Sequence, residues 1–344
     1  MTVVTIKTIA KAAGVSRGTV DRVLHNRGSV RDEIALRVKK LAQELGYVPN
    51  RAGRALSSCK TRYRIGVLLP SIGNIFFNDV IKGIYQASAE YGDLGLDVSI
   101  EQVHGFNESE HLAAIDALLE KGCRALCLST VNTKLLRDRI NECVSQGIRV
   151  VLLNNDVKDC RRLCYVGSDY LKAGKTCAGM LSLISKFKMN HILIVTGSSL
   201  SLGQNLRIEG FISELKNLKV PFVTEGIVES LDSDIEAQKV TAHSLENLKD
   251  INCVFIAGAG VQGVGAALIS AGRKDLNVIA FDDTYAAREL VKEGIIRFVV
   301  CQQPSVQGYQ AIRQAYLSLC GQITEDRTAD FYTETLIKIS SNLS

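Results

Sequence analysis

From residue 64 onward the chain repeats one alternation: a short apolar run, then a stretch with helical spacing. The runs are RIGVLLP, LDVSIEQV, RALCLST, RVVLLNND, CYVGSD, HILIVTGS, PFVTEGI, NCVFIAG, NVIAFD and FVVCQ. Strands separated by helices need crossover connections, so the repeat predicts parallel sheets with both faces covered. Ten strands across 280 residues exceed one compact sheet, and the reading is therefore two α/β lobes. Ligands in such sheets bind beyond the carboxyl ends of the strands.

Polar groups gather at those ends. SIGNIFF, with Asn74, Phe76 and Phe77, follows the first run, and Asn154 and Asn155 follow RVVLL. The segment SSLSLGQNLRIEGF, carrying Arg207, follows HILIVTG; Asp282 follows NVIAF, and Gln302 follows FVVC. Carboxylate, amide and arginine groups hydrogen-bond vicinal hydroxyls, and phenylalanine rings pack on an apolar C–H face, which is the set a sugar needs. No nucleophile stands beside a base, so the expectation is a binding cleft with no cofactor rather than an enzyme.

One stretch points elsewhere. FIAGAGVQGVGAAL, residues 255 to 268, fills the frame G-x-G-x-x-G with Gly258, Gly260 and Gly263, and Asp282 lies 19 positions beyond the last glycine. That is the dinucleotide fingerprint, and it keeps open an alternative: a regulator or enzyme that senses NAD(H) or a phosphorylated metabolite. The stretch comes after several strand–helix units, whereas a dinucleotide fold carries the motif at its first strand. The competing reading gives Gly258 and Gly260 to a tight turn, and Gly263 and Gly265 to close packing of a helix on the sheet.

Ten cysteines with no secretory leader read as reduced thiols packed as small hydrophobes. Cys123/Cys127 and Cys160/Cys164 have C-x-x-x-C spacing, but residues four apart on a strand lie ~13 Å from one another, too far to share a metal. No metal site is expected. No apolar run is long enough to span a bilayer, and the chain is expected to be cytoplasmic.

Charge is unevenly spread. Residues 1–64 hold fourteen Lys/Arg against four Asp/Glu, a net +10, so the remaining 280 residues carry −5 of the total +5. A basic head on a mildly acidic body is the footprint of a nucleic-acid-binding module. Within TIKTIAKAAGVSRGTVDRVL, Ile6, Ile9, Ala10 and Ala13 form one helical stripe and Val15, Val20, Val23 and Leu24 another, divided by Gly14. Ser16 is placed to cap the second helix. A third helix begins at SVRD and stops at Gly46. This is a helix-turn-helix whose second helix would enter the major groove with Arg17, Gly18 and Arg22 outward, Arg22 suited to guanine.

TIKTIAKAAGVSRGTVDRVL, LGYVPN and NRAGRALSSCKT together resemble the DNA-binding head and hinge of the lactose-repressor (LacI) family. The resemblance implies DNA contacts from Thr5, Ser16, Arg17, Gly18, Thr19, Arg22 and Asn26, and from a hinge helix holding Asn50, Gly53, Arg54 and Leu56. Leu56 would wedge into the minor groove of operator DNA. Gly53 departs from the family's usual alanine; it raises the cost of ordering the hinge and should make DNA affinity depend more steeply on effector. Residues 62 to 340 resemble the periplasmic sugar-binding fold. The resemblance places Asn74, Phe76, Phe77, Asn154, Asn155, Arg207, Asp282 and Gln302 at the effector site. Asn154/Asn155 replaces a charged pair, and the GAG of Gly258 to Gly260 replaces an Asn-Asp.

The expected organisation is a head over residues 1–48, a hinge and linker over 49–61, and an effector domain over 62–344. Its lobes are drawn at roughly 62–168 plus 293–325, and 169–292 plus 326–344. The implied protein is a homodimeric repressor of carbohydrate genes on a palindromic operator, controlled by a sugar or sugar derivative.

Overall fold

The computed structural model describes residues 4–24, 30–45, 62–324 and 328–343. Three helices, α1 (Ile6–Ala13), α2 (Arg17–Leu24) and α3 (Asp32–Glu44), form the head. They bury Ile9, Ala10, Ala13, Val20, Val23, Val38 and Ala42 against one another, so both stripes read from the sequence face one small core. Gly14 closes α1 at φ 65°, in the left-handed region that glycine enters without steric cost, and the turn to α2 follows. Arg31, within SVRD, stands at the N-cap of α3; Ser29, Asn26 and the entire hinge lie outside the described residues.

In the body the ten apolar runs form ten strands: β1 (Tyr63–Ile72), β2 (Leu96–His104), β3 (Ala125–Leu128), β4 (Arg149–Leu153), β5 (Cys164–Ser168), β6 (Asn190–Thr196), β7 (Phe222–Glu229), β8 (Cys253–Ile256), β9 (Asn277–Phe281) and β10 (Phe298–Cys301). Two short strands follow, β11 (Phe331–Thr333) and β12 (Leu336–Lys338). The helices are α4 (Phe76–Gly92), α5 (Glu108–Glu120), α6 (Lys134–Ser145), α7 (Tyr170–Ile184), α8 (Leu202–Asn217), α9 (Asp234–Asn247), α10 (Val261–Ser270), α11 (Tyr285–Lys292) and α12 (Pro304–Leu319).

The strands make two sheets, in the orders β11-β5-β4-β3-β1-β2 and β12-β10-β9-β8-β6-β7. Every pairing is parallel except β10 with β12. Strand residues alternate between two buried faces. Ile65, Val67 and Cys127 pack under α4 and α12, while Leu68, Leu126 and Leu128 pack under α5 and α6. In the second sheet, Ile194, Phe255 and Phe281 pack under α7 and α8, and Val195, Val254 and Ala280 under α9 to α11. Each buried Val, Leu, Ile or Phe contributes about 1.5–3 kcal/mol on leaving water, which is why the runs of the central strands are apolar, whereas the edge strands β2 and β7 carry polar residues.

The lobe boundaries differ from the expected ones at two places. Phe298–Cys301 belongs to the second sheet, because Phe298 to Val300 pair with Ile279 to Phe281 of β9. Phe331–Thr333 belongs to the first, because it pairs with Val166 to Ser168 of β5. The chain therefore crosses between lobes after β5, after β10 and between β11 and β12. The Thr333 hydroxyl lies 3.2 Å from the Gly167 carbonyl and 2.9 Å from that of Gln302, tying the three crossings together. No helix among the described residues is long and apolar enough to cross a membrane.

Candidate functional site

The order of each sheet reverses beside its first strand, β1 in one lobe and β6 in the other, and the loops after the strands close around a cavity of about 810 Å³. All eight residues expected at an effector site line it: Asn74, Phe76, Phe77, Asn154, Asn155, Arg207, Asp282 and Gln302.

The first lobe supplies a neutral wall. Asn74 lies just ahead of α4 and accepts a hydrogen bond on Oδ1 from the Phe76 amide at 3.2 Å; the two phenylalanines that follow meet edge to face with centroids 5.2 Å apart. Phe77 belongs mostly to the core, at 3 % exposure, whereas Phe76 is half-buried. Asn154 donates from Nδ2 to Gln307 Oε1 at 3.1 Å, which fixes its amide. Asn155 reaches the other lobe: its Oδ1 accepts from the Ser201 hydroxyl and the Gly203 amide, each at 3.2 Å. The Asn132 amide, donating to the Leu200 carbonyl at 2.9 Å, makes a second bridge between lobes.

The second lobe supplies a charged wall. Arg207 sits on α8, 5 % exposed, with its guanidinium 3.7 Å over the Phe281 ring and 4.7 Å from that of Tyr170. One Nη donates to the Ala257 carbonyl at 2.7 Å, and Nε has no partner. The close approach of α7 sets its position: a Cβ on Gly174 would stand 2.0 Å from the Arg207 carbonyl oxygen. Asp282 follows β9 and accepts from Gln302 Nε2 at 2.9 and 3.2 Å. Removal from water pushes its carboxyl up to about 6, against the pull of Arg207 and Gln302. Gln302, 4 % exposed, keeps Oε1 unpartnered.

Sequence reasoning missed Asp232, which also lines the cavity. It accepts from the Ala259 amide at 2.9 Å and from Gln204 Nε2 at 3.1 and 3.2 Å, and burial raises its carboxyl above the usual range. Gln204 is itself held by the Thr196 hydroxyl and the Gly197 amide. The signal was available, since Asp232 follows a strand end as Asp282 does. His104 lines the cavity as well. Backbone strain concentrates here: of seven described non-glycine residues with positive φ, Asn154, Leu231, Asp232, Asp282 and Gln303 lie at the cleft or a crossing.

The glycine-rich stretch is a turn and a helix contact. Gly260 takes φ 90° ahead of α10. A Cβ on Gly263 would meet the Asp234 carbonyl oxygen at 1.8 Å, and one on Gly265 would meet Leu290, so these glycines admit helices α9 and α11 and not, as expected, the sheet. Two amides of the stretch are taken by carboxylates: Ala259 N donates to Asp232, and Gly263 N donates to Asp234 at 3.2 Å. Two acids at this helix start disfavour a dinucleotide.

In the head, Thr5 caps α1 through a reciprocal box with Thr8, and Ser16 Oγ accepts from the Thr19 amide at 3.1 Å. Thr5, Ser16, Arg17, Gly18 and Arg22 are exposed, and Thr19 is half-buried. Arg22 Nε donates to the Gly18 carbonyl at 3.2 Å, laying the side chain back along α2. Asn26, Asn50, Gly53, Arg54 and Leu56 lie outside the described residues.

Residues 5–50 match the family described as bacterial regulatory proteins, lacI family, and residues 65–323 match the periplasmic binding protein domain. The chain is 26 % identical over 289 residues to the HTH-type transcriptional regulator DegA of Bacillus subtilis (strain 168), covering 82 % of each. It is 27 % identical over 289 residues to catabolite control protein A of Priestia megaterium, covering 82 % of this chain and 83 % of that one. The solved structure of GanP, a glucose-galactose binding protein from Geobacillus stearothermophilus, superposes with TM-score 0.76 at 24 % identity, covering 83 % of this chain and 99 % of that one. That likeness is one of fold. With a capped helix-turn-helix ahead of two parallel-sheet lobes, and matches over both parts, the chain belongs to the LacI family of DNA-binding transcriptional regulators.

Proposed function

We propose that this regulator is a repressor of carbohydrate genes whose hold on a palindromic operator is set by a sugar-like effector between the lobes. The observation that carries the reading is the pair of orphaned polar atoms at the cavity wall, Arg207 Nε and Gln302 Oε1, both on side chains more than nine-tenths buried. Buried polar groups are almost always satisfied, and a polyhydroxyl ligand satisfies a donor and an acceptor together. A glucose-galactose binding protein of the same fold supports that ligand class.

The eight expected cavity residues and Asp232 are assigned to the effector; α2, with Thr5, Asn26 and the hinge residues Asn50, Gly53, Arg54 and Leu56, is assigned to DNA. Residues 1–48, 49–61 and 62–344 act as head, hinge and effector domain of a cytoplasmic homodimer without enzymatic activity. Effector that binds the open and closed lobes unequally shifts the separation of the two hinges and so the DNA affinity. Fluorescence anisotropy with a selected duplex tests this: a member of a carbohydrate panel should change the Kd of full-length protein at fixed salt. Equal affinity for all duplexes, with no response to any carbohydrate, would overturn it.

A further inference from the structure

The cavity is rich in acceptors, and four of the amides at its helix starts are already occupied. Among the described residues, one arginine, one histidine and no lysine line it, against Asp232, Asp234 and Asp282. The histidine, His104, lies 3.7 Å from the Glu110 carboxylate. The Arg207 guanidinium packs against two rings, and its charge pulls down the carboxyls of both Asp232 and Asp282 against the effect of burial. A phosphate entering such a site would look for amides at helix starts. Here Gly203 N of α8 already donates to Asn155 and Gln204 N to Ser201. Ahead of and within α10, Ala259 N and Gly263 N donate to Asp232 and Asp234. Gln302 Oε1 is a further acceptor, buried and without a donor.

Resting on the reading of the cleft as a sugar site, we infer that Asp232 and Asp282 together make it selective for an uncharged, hydroxyl-rich ligand, a free sugar rather than its phosphate ester or uronic acid. Hydroxyls donate to the Asp232 and Asp282 oxygens and to Gln302 Oε1, while one ring oxygen or hydroxyl accepts from Arg207 Nε. A phosphate brings close to two negative charges and acceptor atoms into a wall that carries a net excess of carboxylate. Asp232 is then a specificity-determining residue: neither Asn155 nor Phe76 can reject an anion, whereas a fixed carboxylate can.

Titration calorimetry on the full-length protein with matched sets tests this: aldohexoses and aldopentoses, their terminal phosphates, and the corresponding uronates. The expected result is a free sugar that binds, with its phosphate and uronate at least roughly 100-fold weaker. Asp232→Asn should narrow that gap roughly tenfold by admitting the anion. A phosphate or uronate that binds as tightly as its parent sugar overturns the inference and leaves the sugar reading standing. A wild-type protein that binds no member of any set overturns both. The comparison on wild-type protein needs no variant, so misfolding of Asp232→Asn does not blur the outcome.

Discussion

The two walls of the cleft differ in kind. The first lobe offers amides and rings, Asn74, Phe76, Asn154 and Asn155; the second offers fixed charge, Arg207, Asp232 and Asp282. The second wall is held from within its own lobe, by Ala257, Ala259, Gln204 and the Phe281 ring, together with Gln302 at the crossing. Asn155, by contrast, uses its oxygen on Ser201 and Gly203 across the gap. The difference fits the proposed function: a second wall already fixed by its own lobe selects a ligand by charge, and the first lobe joins it through Asn155 across the gap.

The largest effect should follow from breaking the charged wall. Arg207→Ala leaves Asp282 and Asp232 without their counter-charge and should cost about 3–5 kcal/mol in urea unfolding, with ligand binding lost. A first-wall change of comparable cost would erase the asymmetry.

Asp282 gives the next effect through pH. Its carboxyl is raised from 3.8 to about 6. The fold therefore favours the protonated form, and the stability this contributes is whole below pH 4 and lost as pH rises through about 6. The loss should reach about 3 kcal/mol at most. Asp282→Asn should remove that slope and be more stable than wild type at pH 7; identical pH profiles would exclude Asp282 as the raised group. Gly174→Ala drives a Cβ into the Arg207 carbonyl and should destabilise by about 1–3 kcal/mol. Thermal unfolding with and without ligand would separate that packing loss from displacement of Arg207. Phe76→Ala, on the neutral wall, should weaken the ligand by roughly tenfold while changing stability little, as expected for one half-buried ring. The smallest change tests the path to the head. Gly53→Ala should tighten operator binding by a few-fold, about 0.4–1 kcal/mol, and blunt its response to ligand.

Much of this was legible in the sequence, for reasons that also mark its limits. The central strands of each sheet, such as β3, β4, β8 and β9, are buried on both faces and so read as unbroken apolar runs, while the edge strands β2 and β7 are only partly buried and carry polar residues within their runs. The strands FYT and LIK are three residues each and partly exposed, and they carried no such signal. Which sheet a late strand joins depends on pairing partners far away in sequence, and so β10 and β11 were drawn into the wrong lobes. Asp282 and Arg207 were found because they follow apolar runs or a family motif. Asp232 went unread because its place in the site comes from a loop folded over Gly258, where a Cβ would meet its carboxylate at 2.6 Å. The G-x-G-x-x-G frame misleads for a related reason: spacing does not reveal that Gly263 faces the Asp234 backbone.

The most direct measurement is operator affinity of full-length wild-type protein and Asp282→Asn, each with and without a free sugar that calorimetry shows to bind wild type. Ligand should change the wild-type Kd by at least about tenfold, and Asp282→Asn should keep the ligand-free Kd while losing the change. A wild-type Kd that stays the same with the cleft demonstrably filled would contradict control of the head by the cleft.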